Sequence, residues 1–441
     1  MQLYLNQSGL DPGEDVCYGA LRGLRFAPEA GVLGEAAAIN GFTADIATAD
    51  DIAPGDYARL RDGLGGLWAQ YWLTSARRVD RGTVRVAAQS DLLLLDRPVL
   101  GAEFYDNAAV SDIVEAIFAS LSYGFAGSLY ALDQAVGAVR LTGFCPEQTA
   151  RERLQWVCFA AGAMVKSWFG RGLSIVPVPG PEDAAALIPM EKTFWKPRVV
   201  ARSPVTAVTV TGYRFSPGTP QPGDRYVTDQ GGATYIYTAT EATIQNPAAQ
   251  GSQFPENVVR CRGVMLLDEQ AAARAAARLA RYHFAGLEVR LEAIDDGEYL
   301  PGDRVTVCGG EGALYTGVIT GCDFRFGVQA RAALTVAAAE RTPSAALVVV
   351  ARCAGEALDT RRYTLPAGYG YALSNPFIDL DRDGRRRVFR PLSPSVTGTL
   401  PAGGDVVYVE YEPALVLSDG ALQVLSVDGL NEAREGEVTI Q

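Results

Sequence analysis

The run Asp379-Leu-Asp381-Arg-Asp383-Gly384 has the alternating carboxylates and the glycine that open an EF-hand loop, where successive odd-position oxygens converge on one cation. The twelfth position of such a loop needs a bidentate glutamate, and here it is Arg390. Arg385, Arg386, Arg387 and Arg390 would meet a bound cation with like charge. Asp379, Asp381 and Asp383 are thus the metal-site candidates, and a polar turn is the competing assignment. His283 is the single histidine, so any Ser-His-Asp or Cys-His device must use it. It falls at the C-terminal end of a helical pattern, where imidazole also suits the helix dipole. No HExxH, GxSxG or phosphate-cradling glycine loop lies near it.

Paired carboxylates could hydrolyse glycans, but Glu147 and Glu152 are five residues apart on an expected helix and diverge. Glu103 and Asp106 precede an apolar helical pattern and read as capping groups. Trp68, Trp72, Trp156, Trp168 and the pair Phe194-Trp195 could stack on sugar rings, yet core packing or subunit contact explains them as well. The seven cysteines, Cys17, Cys145, Cys158, Cys261, Cys308, Cys322 and Cys353, are scattered, odd in number and without a CxxC pair. They suggest neither a zinc site nor a disulfide framework. The expectation is a chain with no catalytic residues and no cofactor, and so not an enzyme.

What must position these residues is a long and ordinary globular chain. Its 441 residues exceed what one core usually organises. At 48% hydrophobic and 20% charged residues, large-scale disorder is not expected. The formal charge of −12 argues against specific nucleic-acid binding, which wants a basic stripe. No run approaches the roughly 18 apolar residues that span a bilayer, so membrane insertion is not expected. The first residues lack the basic start and apolar run of a secretory signal. The expectation is synthesis in a bacterial cytoplasm.

The periodicities alternate between strand and helix. Strands are expected at Leu67–Ser75 and Thr83–Ala88. A helix is expected over Asn107–Leu121, with Asp106 or Asn107 as N-cap, and a second from Pro146 to about Ala161. Short strands at Val139–Thr142, Ala163–Phe169 and Leu173–Val178 complete an α+β module that ends in the proline-rich stretch Val176–Pro181. Strands resume at Val205–Tyr213, Tyr235–Ala239 and Val258–Leu267. The alanine-rich run Asp268–Phe284 follows as a helix capped by Asp268, with arginines toward its C-terminal half. Strands at Leu287–Ala293, Arg304–Cys308, Leu314–Thr320 and Leu334–Ala338 come next, and Val406–Glu410 and Ala421–Val427 lie in a last β-rich part. The fold class is mainly β with an α+β insertion. The division is 1–95, 96–180, 181–342 and 343–441.

One internal repeat stands out. Asp51-Ile-Ala-Pro-Gly-Asp56 and Glu298-Tyr-Leu-Pro-Gly-Asp303 each carry a Pro-Gly-Asp turn. After each come a strand, a glycine-containing loop, a strand beginning near Tyr71 or Tyr315, and a closing strand at Thr83–Ala88 or Ala333–Ala338. A third Pro222-Gly-Asp224 reads as a loop without the following strands. Three chains with two similar β-barrels each would place six barrels in a ring, matching a sixfold tube.

On these segments the chain resembles the baseplate hub and late-control tail proteins of contractile-tailed phages, prophages and phage-tail-like bacteriocins. The resembling parts are Asp51–Ala88, Glu147–Pro177 with the helix at Thr149–Gly162, Asp268–Phe284 and Glu298–Ala338. They cover roughly residues 1–340 and leave 345–441 unmatched. The resemblance implies two similar tube-type β-barrels, a small α+β module and a C-terminal β domain. It implies a structural subunit forming a homotrimer that joins the hexameric tail tube protein to the trimeric central spike protein, with baseplate wedge proteins as further partners, in a virion or phage-tail-like particle. The alternatives are a tail-associated glycan-degrading enzyme with carbohydrate-binding β domains, and a tail-tip protein other than the hub.

Overall fold

The computed structural model describes residues 2–5, 16–18, 21–26, 31, 39–49, 51–52, 57–61, 67–121, 130–166, 173–250, 255–294, 297–309, 313–325, 331–373, 377–380, 386–392 and 396–416. The chain forms two compact units. One is Met1–Val307 with Tyr315–Glu340, and the other is Cys308–Leu314 with Arg341–Gln441.

In the first unit the chain begins with seven strands: β1 (Gln2–Leu5), β2 (Val16–Tyr18), β3 (Leu21–Phe26), β4 (Gly41–Ala47), β5 (Tyr57–Arg61), β6 (Leu67–Asp80) and β7 (Thr83–Gln89). Alternation drives them: β4 buries Phe42, Ala44 and Ile46, and β7 buries Val84, Val86 and Ala88. They pair antiparallel in the order β3-β4-β7-β6-β5-β1-β2.

The chain then leaves this sheet. It passes through a 3-10 turn at Asp91–Asp96, β8 (Val99–Leu100), β9 (Glu103–Ala109), α1 (Val110–Ala119), β10 (Tyr130–Leu132) and α2 (Gln134–Gly137). It continues through β11 (Arg140–Cys145), β12 (Gln148–Thr149), α3 (Ala150–Ala161), β13 (Ala163–Lys166) and β14 (Leu173–Pro177). It returns with β15 (Ala186–Ile188) and β16 (Arg198–Ala201), and leaves again through β17 (Ala207–Pro217), β18 (Tyr226–Thr228), β19 (Thr234–Gln245), β20 (Val258–Cys261) and α4 (Glu269–Phe284). It closes with β21 (Leu287–Ile294), β22 (Arg304–Cys308), β23 (Leu314–Arg325) and β24 (Arg331–Thr342). These returning strands hydrogen-bond in the order β16-β21-β24-β23-β22-β15.

Two hydrophobic cores result. One joins β1 and β3–β7 to β15, β16 and β21–β24, through residues such as Leu60, Tyr71, Val86, Val289, Val305 and Leu334. The other joins the two excursions, with α1 and α3 supplying Ile113, Phe118 and Leu154, β17 supplying Val208, and α4 supplying Ala275 and Leu279. The alanines of α4 let that helix lie close to its neighbours, and Asp268 caps it by accepting the Ala271 N–H at 2.6 Å.

Two helix starts differ from the sequence expectation. α1 begins at Val110 with Ala109 as an uncapped N-cap residue, because Glu103–Ala109 is committed to a ladder with β11. α3 begins at Ala150, not Pro146, since Gln148–Thr149 pairs with β8. A capping box fixes that start: Thr149 Oγ1 accepts the Glu152 N–H at 3.2 Å, and Glu152 Oε2 accepts the Thr149 N–H at 2.9 Å. The strand at Val258 ends at Cys261, short of Leu267, as the chain turns toward α4.

The second unit contains β25 (Ser344–Cys353), β26 (Glu356–Pro366), β27 (Gly370–Leu373), β28 (Phe377–Leu380), β29 (Arg386–Pro391), β30 (Val396–Thr399) and β31 (Asp405–Val416). Its main sheet runs β26-β25-β31-β29-β28, over a small core of Leu347, Leu400, Val407 and Val409. Ala421–Val427 lies outside the described residues. The chain is therefore mainly β with an α+β insertion.

Candidate functional site

The feature that organises the first unit is a duplication of strand order. Replacing β1, β3, β4, β5, β6 and β7 by β15, β16, β21, β22, β23 and β24 converts the path β3-β4-β7-β6-β5-β1 into β16-β21-β24-β23-β22-β15. Both arrays use their strands in the same chain order. They differ at one end, where β1 meets β5 antiparallel and β15 meets β22 parallel. β15 arrives from the first excursion rather than from a hairpin, and such crossovers permit a parallel approach.

The arrays meet where β3 pairs with β23, Phe26 opposite Phe324 and Arg25 opposite Arg325. The rings of Phe26 and Phe324 stack with centroids 5.8 Å apart, and Tyr71 sits 5.9 Å from Phe26. All three side chains are fully buried. Asp323 stands between Arg25 and Arg325, at 3.4 and 3.7 Å. The result is one continuous sheet over one core, so the two arrays are not independent modules joined by a linker.

The Pro-Gly-Asp turn has a simple local cause. Proline presets the first turn position, and glycine supplies the positive φ that the second position requires. At Pro301-Gly302-Asp303 the glycine φ is +87°. Asp303 Oδ2 accepts the Leu300 N–H at 3.0 Å, and the Asp303 N–H returns to the Leu300 carbonyl at 3.0 Å. Lys166 of β13 donates to Asp303 Oδ1 at 2.8 Å, tying the turn to the first excursion. Gln221-Pro222-Gly223-Asp224 makes the same local turn, with φ +100° at Gly223 and a 2.7 Å bond from the Gln221 N–H to Asp224. A short strand, β18, does follow it, contrary to the sequence reading, though it is only three residues long. Residues 53–56 lie outside the described residues, so the first copy is known from sequence alone.

Among the described residues, those singled out for chemistry have separate local partners. Asp381 and Asp383, and the side chain of Asp379, lie outside the described residues. Among the described residues no group of three or more His, Cys, Asp or Glu side chains could hold a metal. His283 occupies the last turn of α4, edge-on to Tyr282, where burial, with Arg202 nearby, pulls its pKa below the ordinary imidazole value. Glu152 is committed to the capping box. Glu103 caps nothing: its Oε2 accepts the Tyr105 hydroxyl at 2.8 Å and faces Arg153 at 3.3 Å.

Arg153 was not singled out by its sequence context, although it is 2% exposed. It donates to the carbonyls of Gly101 at 2.5 Å and Pro146 at 3.1 Å, clamping the entry into α3. Trp195, by contrast, is 75% exposed, while Trp156 is half-buried against the core of the excursions.

By sequence, no family model and no curated protein matches the chain. Solved structures do resemble it. The 43 kDa tail protein of prophage MuSo2 from Shewanella oneidensis superposes with a TM-score of 0.51 at 13% identity, over 76% of this chain and 98% of that one. The tail protein from Neisseria meningitidis MC58 superposes with a TM-score of 0.50 at 12% identity, over 76% of this chain and 96% of that one. The fold is that of phage tail proteins. A type VI secretion component of E. coli, described as similar to the T4 bacteriophage tail proteins gp27 and gp5, matches over 93% of this chain and 99% of that one at 11% identity, with a TM-score of 0.42.

This tail-protein fold accounts for almost the whole length of those two tail proteins but not for all of this chain. The covered share is close to the share of the chain that the first unit makes up. Among the described residues, no helix is long and apolar enough to cross a membrane.

Proposed function

We propose that the protein is a structural hub subunit of a phage-type tail or related particle, without a chemical step of its own. The duplicated six-strand array carries this reading. A chain holding two like arrays, repeated three times around an axis, offers six like surfaces to a sixfold tube while keeping threefold symmetry toward a spike. The tail-protein fold supports the setting, and the scatter of the candidate catalytic residues supports a mechanical role. On this reading the chain is a homotrimer whose partners are the tail tube, central spike and baseplate wedge proteins, and it works within the assembled particle. The division at 95, 180 and 342 is the proposed domain scheme, with residues 343–441 turned to other tail components.

Light scattering with negative-stain imaging tests the proposal. The expected particle has about three times the 47.0 kDa chain mass, with a central opening and six lobes. A monomer that persists when spike and tube partners are added, and that turns over peptidoglycan, would replace the hub reading with an enzymatic one.

A further inference from the structure

Between the loop Val178–Pro181, the C-terminal half of α4 and the strands β22–β24 lies a cavity of about 240 Å³, partly open to solvent. Its lining includes Arg278, Arg281 and Arg304, and Glu340 is the one carboxylate among the lining side chains. In a chain of formal charge −12, three guanidinium groups around one cavity need a reason.

Their bonds within the protein do not supply it. Arg278 lies across Gly162, where an added Cβ would come within 2.9 Å of its Nη1, and donates through Nη2 to the Phe159 carbonyl. Arg304 donates through Nη1 to the backbone carbonyl of Asp183, while the Asp183 carboxylate is taken by the Gly180 N–H at 2.6 Å. Both bonds go to neutral carbonyls, and the carboxylates at the cavity are Glu340 in its lining and Glu182 against Gly180. Among the described residues no ion pair engages Arg278, Arg281 or Arg304. Burial, with Arg274 nearby, holds the Arg278 pKa down to about 10, which is the effect of desolvation uncompensated by an anion.

A guanidinium presents paired N–H groups that match two oxygens of a carboxylate or phosphate. We propose that this cavity binds a small oxyanion bearing phosphate or carboxylate groups, gripped by Arg281 and Arg304 at the mouth and faced by Arg278 below. The strands that line the site, β22–β24, belong to the second array. Arg304 directly follows Pro301-Gly302-Asp303, whereas Tyr57 follows Pro54-Gly55-Asp56. The two otherwise similar arrays therefore differ in charge at an equivalent point, whatever the oligomeric state.

Calorimetric titration and thermal melting of the full-length chain test this, using inorganic phosphate, pyrophosphate and citrate against sodium chloride of equal ionic strength. At least one anion is expected to bind and raise the melting temperature. Arg281→Gln and Arg304→Gln should each weaken that binding about tenfold, the cost of losing one charge-assisted partner. Glu340→Gln should tighten it by removing the opposing charge. A response to phosphate or pyrophosphate alone identifies a phosphate ligand, and a response to citrate alone a carboxylate one. The proposal is overturned if no anion exceeds the chloride control, or if a folded Arg281→Gln/Arg304→Gln chain keeps its affinity. Should that double variant not fold, Glu340→Gln decides: unchanged affinity overturns the proposal.

Discussion

Phe26 and Phe324 stack at 5.8 Å with their ring planes 27° apart, at the seam where β3 and β23 join the two strand arrays. Each ring belongs to a different array, yet both are fully buried in the same core. Phe26→Ala or Phe324→Ala should cost about 3–5 kcal/mol, the range for deleting a buried aromatic ring. The double variant should cost less than the sum by about 1 kcal/mol, because the ring–ring term is lost only once. Denaturant midpoints of the four proteins measure this, and strict additivity would mean that the rings pack independently.

Glycine positions separate two kinds of backbone constraint. At Gly143, in the irregular step of β11, an added Cβ would come within 2.6 Å of the Met265 carbonyl oxygen and 2.7 Å of Leu266 Cα. Those are backbone atoms that cannot swing aside. Gly143→Ala should lose about 3 kcal/mol or more. Gly223 has φ +100° but nothing within 4 Å of the added carbon. Gly223→Ala should lose only about 1 kcal/mol of backbone strain. Equal shifts in melting temperature would contradict the crowding argument.

Glu288 is buried on β21, with Arg202 Nε at 3.1 Å and Arg290 Nε at 2.6 Å. Burial would raise its pKa, but hydrogen bonds and charge from the two arginines outweigh it and hold the carboxyl below the usual glutamate value. A carboxylate depressed on folding contributes stability that is complete above its unfolded pKa and is lost as pH falls through the lower folded value. Glu288→Gln should therefore flatten the acid limb of a stability–pH curve below about pH 4.5, while lowering stability at neutral pH. An unchanged acid limb would mean that Glu288 is not held in its charged form.

The cysteines should divide by reactivity. Burial pushes Cys158 up to about 12, and it does the same to Cys145 despite the opposing charge of Arg153. Cys17 is exposed. A maleimide at neutral pH should modify Cys17 in the native protein and reach Cys145 and Cys158 only on unfolding, since the thiolate is the reactive form. Peptide mapping after brief labelling reads this out directly.

Some of this architecture is visible in the residues themselves. α4 could be read because an alanine-rich run behind a capping aspartate allows little else. The strands after Pro301-Gly302-Asp303 could be read from their alternation, whereas β18 after Pro222-Gly223-Asp224 could not. The start of α3 was misplaced although Thr149-x-x-Glu152 carries the capping signal, because Pro146 offered an equally good local start. β15 and β16 were missed because three- and four-residue strands have too few positions to show a period. The cavity of Arg278, Arg281 and Arg304 had no local signal at all. Arg278 and Arg281 read as helix-terminal charges, and only the fold brings Arg304 of β22 to the same cavity.

The two excursions also set a timetable for the chain as it is made. The strands β1–β7 are all available to pair once Gln89 has emerged from the ribosome. Those of the second array are not: β15 and β16 must wait, exposing sheet edges, until β21–β24 are synthesised and Thr342 is available. Such long-range pairing is slow and aggregation-prone. The early array, through the β3 edge that later receives β23, supplies the template on which the late one is laid down. A chain truncated before Leu314 would thus lose Phe324, Leu334 and Val336 from the shared core and leave an orphaned edge at Phe26, a sticky end facing solvent.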